Sequence, residues 1–97
     1  MNPCITIDVS KESSYVQGFW DINQQVSKPK QIEHTKVGFS YINELFNLIK
    51  EKSNIEPLIF FEYTGVYHLP IMNYLQEQKL KFIPIPPLVA AKVRKSD

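Results

Sequence analysis

One cysteine, three glycines and no long apolar run mark this chain of 97 residues. A lone Cys4 cannot form an internal disulfide, and no Cys/His cluster has the spacing of a zinc site. That cysteine usage suits a reducing, cytoplasmic setting, which is the expectation here. No stretch is long enough to span a membrane as a helix. Met1 leads into a strand-like run with no basic region or cleavage site before it, which argues against a secretory signal. Low-complexity segments and internal repeats are missing as well. The apolar fraction of 43% and charged fraction of 22% are those of a folded globular domain, not a disordered chain.

The length suits one small domain with one core. Net charge is only +1, yet it is unevenly placed. Of 11 basic and 10 acidic side chains, five basic ones (Lys79, Lys81, Lys92, Arg94, Lys95) and one acid, Asp97, fall in residues 79–97. A basic tail on a mildly acidic body suits contact with phosphates, and a solvated helix face is the plain alternative.

Periodicity gives the elements. Cys4 to Val9 alternates, with Ile5, Ile7 and Val9 on one face, as a half-buried strand does. Tyr15 to Trp20 is aromatic and β-branched, and Lys28 to His34 is a third strand weakened by Pro29. "DINQQ" reads as the turn between them. Phe39, Ile42, Leu45, Phe46 and Ile49 then recur at helical spacing, which predicts a helix from about Ser40 to Lys52. Leu58 to Phe61 is a short apolar strand with the composition of one buried on both faces. Pro70 belongs in a first helical turn, so a second helix runs from about Leu69 to Gln78. Lys81 to Ile85 is a last strand, and Leu88 to Lys95 reads as helical.

The order is βββ-α-β-α-β-α. A strand–helix–strand unit makes a right-handed parallel crossover, which sets the fourth strand beside the first. The resulting fold class is α/β and ribonuclease H-like (RuvC-like), a mixed sheet with a three-strand antiparallel meander, then parallel strands and flanking helices.

In that arrangement Asp8 and Glu62 emerge at the same end of neighbouring strands, where open α/β sheets place their sites. Two carboxylates so close repel unless a cation neutralises them. Oxygen-only ligands suit Mg2+ or Mn2+, and a pair of such ions serves phosphodiester chemistry. Surface acids with no such role are the alternative. Lys11, just past Asp8, is placed to touch a phosphate or to stand in solvent at a hairpin. Lys92, Arg94 and Lys95 suit sequence-blind backbone contacts to DNA or RNA. Thr64 and Gly65 form a turn, or a tight loop that aims Glu62.

Three stretches, "IDVSK" at Ile7–Lys11, "FEYTGVYHLPIMNYL" at Phe61–Leu75 and the closing "PPLVAAKVRKSD", together resemble one family. It is the N-terminal domain of the DEDD transposases of the insertion-sequence-110 family, to which the Piv and MooV invertases are related. The resemblance covers essentially the whole chain. It implies a RuvC-like domain in which Asp8 and Glu62 are the first two acids of the DEDD set and ligate a divalent metal. It further implies DNA as substrate, strand cleavage and joining during insertion-sequence movement, a structured guide RNA and a homo-oligomer. The family's other two aspartates follow the basic segment in a Thr-Asp context that is absent here, and Asp97 reads as preceding it. The family's C-terminal domain, with a serine implicated in strand exchange, is absent too. The expectation is therefore a truncated domain over residues 1–97, inactive by itself.

Rival readings are a Holliday-junction resolvase or other ribonuclease H-like nuclease, which would share both acids. A second rival is the first half of an actin-like or sugar-kinase ATPase domain. It needs a glycine-containing phosphate turn after the first Asp, and "DVSKES" has none. The third is a non-catalytic nucleic-acid-binding or interaction module.

Overall fold

A computed structural model describes residues 1–63 and 66–85. The helix expected over Leu88 to Lys95 lies outside them, as do Thr64, Gly65, Lys92, Arg94 and Lys95.

The chain opens on strand β1, Cys4–Val9, and reverses into β2, Ser13–Asp21. The two pair antiparallel from Cys4 opposite Phe19 to Val9 opposite Ser14. Strand β4, Lys30–Glu33, lies antiparallel to the first half of β2, which completes the expected meander. It is shorter than the Lys28–His34 run, since pairing starts only after Pro29. Between them the stretch taken as a plain turn holds a short extra strand, β3, Gln24–Gln25, on the far half of β2. The hairpin turns at Asn23, whose φ of 63° is left-handed. Asn tolerates that conformation better than most residues.

Helix α1 covers Lys36–Ser53 and so begins a full turn before the expected Ser40. The start is set by Thr35, whose hydroxyl accepts the Gly38 N–H at 3.0 Å, a regular N-cap bond. Gly38 allows the first turn to lie against the end of β4. A Cβ there would sit 2.1 Å from the Glu33 carbonyl oxygen. Asn54, left-handed at φ 60°, closes the helix by donating to the Lys50 carbonyl.

Strand β5, Leu58–Glu62, then enters parallel to β1. Helix α2, Leu69–Glu77, carries Pro70 in its first turn as expected. Strand β6, Phe82–Ile85, pairs parallel with β5. Sheet order is β3-β2-β1-β5-β6, with β4 beside β3 on the free side of β2. The fold class read from the sequence is the one observed, an α/β unit with a mixed sheet compatible with a ribonuclease H-like fold.

The core lies between one sheet face and the two helices. Ile5, Ile7, Val16, Ile59 and Phe61 from the sheet meet Ile42, Leu45 and Ile49 of α1 and Ile71 and Leu75 of α2. Tyr74 donates to Asn43 and ties the helices together at their outer edge. Trp20 packs against this core, whereas Phe19 is on the opposite sheet face. That opposite face is open among the described residues. Leu58 is 54% and Ile83 45% exposed, so β5 is not buried on both faces as its composition suggested. At the edge, Tyr63 N–H donates to the Ile85 carbonyl at 3.4 Å. Parallel pairing alternates inward and outward groups, so Pro84 puts its hydrogen-free nitrogen on the outer edge.

Candidate functional site

β1 and β5 run parallel, so their carboxyl ends lie side by side. Asp8 and Glu62 are register partners there. Neighbouring strands are about 4.8 Å apart, and partners in register share a sheet face. Both acids therefore stand on the open face, away from Ile7 and Phe61, which bury into the core beside them. Asp8 is exposed and Glu62 half-buried. Among the described residues no third His, Cys, Asp or Glu joins them as a metal-binding cluster. A pair of carboxylates fits magnesium, which keeps several waters and takes one or two carboxylates from the protein. It would not make a closed zinc or calcium cage.

The other sequence candidates separate. Lys11 is exposed in the turn after β1 and lines an open cleft with Glu12, Ser13, His34 and Pro70. The cleft lies at the same end of the sheet, because β4 runs in the direction of β1 and both helices return antiparallel to it.

Ser14 and His34, which the sequence reading passed over, meet beside that cleft. Ser14 is fully buried, and its Oγ is 2.8 Å from His34 Nε2. Burial pushes the His34 imidazole below its ordinary range, partly opposed by a backbone bond with Ser13. The only signal in the sequence was a serine on the core-facing side of β2, which needs a polar partner once buried.

His68, set aside as a cap or surface residue, holds the N-cap position of α2 and makes no capping bond. Its ring is packed instead, 4.5 Å from Tyr63 and 6.1 Å from Phe61 between centroids. Tyr67 beside it is exposed.

The insertion-sequence-110 DEDD family model, described as a transposase, matches residues 5–97. The chain belongs to this transposase family. No curated protein matches it. A transposase domain has DNA as its partner, and the match favours that over the resolvase and interaction-module readings. Among the described residues of the transposase domain, no helix is long and apolar enough to cross a membrane.

Proposed function

We propose that Asp8 and Glu62 together hold a divalent cation, Mg2+ or Mn2+, for cleavage and joining of DNA strands in insertion-sequence transposition. The observation that carries this reading is their pairing in register on the open face of the sheet. The family match supports it, since DEDD transposases generally use divalent metal. When bound, the ion supplies charge neutralisation at the attacking and leaving oxygens. Asp8 and Glu62 contribute rigidity: each stands at the end of a strand whose neighbouring residue is locked in the core. Lys11 meets the DNA backbone from the adjoining turn, and Lys92, Arg94 and Lys95 supply further sequence-blind contacts to the nucleic-acid backbone. By the family pattern two further acids complete the ligand set. A structured guide RNA and self-association belong to this proposal at the level of the whole transposase.

Manganese titration of the full chain tests the acid pair. Wild type should bind Mn2+, followed by its electron paramagnetic resonance signal, and Asp8→Asn and Glu62→Gln should each lose most of that binding. Equal affinity in all three proteins sinks the proposal and returns the two acids to the role of surface residues.

A further inference from the structure

The acid pair leaves one feature near the carboxyl ends of the strands without a role. Val66, Tyr67 and Leu69 are 66%, 41% and 42% exposed. Val66 and Tyr67 lie in the turn that leads from β5 into α2, and Leu69 is the first residue of that helix. Single exposed apolar residues are ordinary, but a contiguous group marks a contact surface.

Residues 66–69 are tied into the start of α2. Leu69 N–H donates to the Val66 carbonyl at 3.2 Å, and Met72 N–H to the His68 carbonyl at 2.9 Å. The His68 ring packs on Tyr63 and on the fully buried Phe61. Tyr67 is thus the exposed ring of a turn whose next residue is anchored in the core. A tyrosine ring has only two side-chain torsions to fix, so it loses little freedom when something stacks on it. It follows Glu62 by five residues, a chain reach of at most about 18 Å.

We propose that Tyr67 is a stacking platform for an unpaired base of the DNA strand handled at the Asp8–Glu62 pair, and so a positioning residue. The proposal rests on the DNA-processing reading of that pair. Bases inside a duplex are covered on both faces by their neighbours, so a protein ring stacks on single-stranded, terminal or flipped bases. Stacking tolerates any sequence, since every base has a π face. The phenol ring carries the contact, and its hydroxyl is dispensable.

The test uses the full chain and a single-stranded DNA oligonucleotide carrying a fluorescent adenine analogue, with and without manganese. Wild type and Tyr67→Phe should bind alike and quench the analogue, with or without the metal. Tyr67→Ala should bind about ten-fold more weakly and leave the analogue bright, with an unchanged circular dichroism spectrum. The duplex of the same sequence should show no dependence on Tyr67. Unchanged binding and quenching in Tyr67→Ala overturns the proposal, as does equal loss in the Phe and Ala variants. Stronger Tyr67-dependent binding of the matching RNA overturns the assignment to DNA. If wild type binds Mn2+ but not the strand, Tyr67 alone loses its role. If wild type binds the strand through Tyr67 but no Mn2+, the acid-pair reading fails instead.

Discussion

Asp8 and Glu62 are partners in register across the parallel β1–β5 pair, although 53 residues of other structure lie between them in the chain. If the two hold one cation, they act as a unit, and residues acting as a unit are not additive. The double variant Asp8→Asn/Glu62→Gln should therefore lose less Mn2+ affinity than the sum of the two single losses. A calorimetric double-mutant cycle reads this directly, and additive losses would mean two separate sites.

Phe61 places Glu62 by filling the core beneath it. It is fully buried, with Phe82 5.3 Å and Tyr63 5.8 Å away between ring centroids. Truncation to Ala removes a large side chain where the surroundings cannot close fully, at a cost of about 3–5 kcal/mol. In urea unfolding the midpoint of Phe61→Ala should fall sharply, whereas Leu58→Ala on the open face should change it little.

Gly38→Ala opposes two effects. Ala is the better helix former by about 1 kcal/mol, but the added methyl would meet the Glu33 backbone at 2.1 Å. Backbone cannot yield as a side-chain tip can, so overpacking of about 1–3 kcal/mol decides the sign. The variant should melt below wild type. A rise in melting temperature would show that α1 can slide off β4.

His34 sets a pH dependence. Its folded imidazole titrates below the ordinary value of 6.5 because burial disfavours the charged form. Below that value the unfolded chain takes up the proton first. Stability should therefore be full above about pH 6.5 and decline as pH falls through the folded value. Urea unfolding at pH 7.5 and 5.5 should show a smaller difference for His34→Gln than for wild type.

Much of this arrangement was legible because apolar periodicity is a direct imprint of burial. Ile5, Ile7 and Val9 alternate since β1 has one core face, and Phe39, Ile42, Leu45 and Ile49 recur since α1 has one core stripe. The parallel placement of β5 beside β1 followed from crossover handedness alone, and with it the meeting of Asp8 and Glu62. Failures came where a local polar bond or close approach decides. The Thr35 cap and the glycine contact start α1 early, and Asn23 builds β3 from a stretch with no apolar pattern. The Ser14–His34 bond joins residues twenty apart, which no local spacing announces. Leu58 and Phe60 misled because an apolar run gives no count of the faces that are covered.

Pro84 has a bearing on growth as well as on pairing. Strands added edge to edge build an endless ribbon only when both borders of the sheet can receive one. On the β6 border a ring nitrogen stands where a donor would be needed, so pairing from that side is weakened at its middle. Pro84 thus makes the β6 border a poor template for edge-to-edge growth.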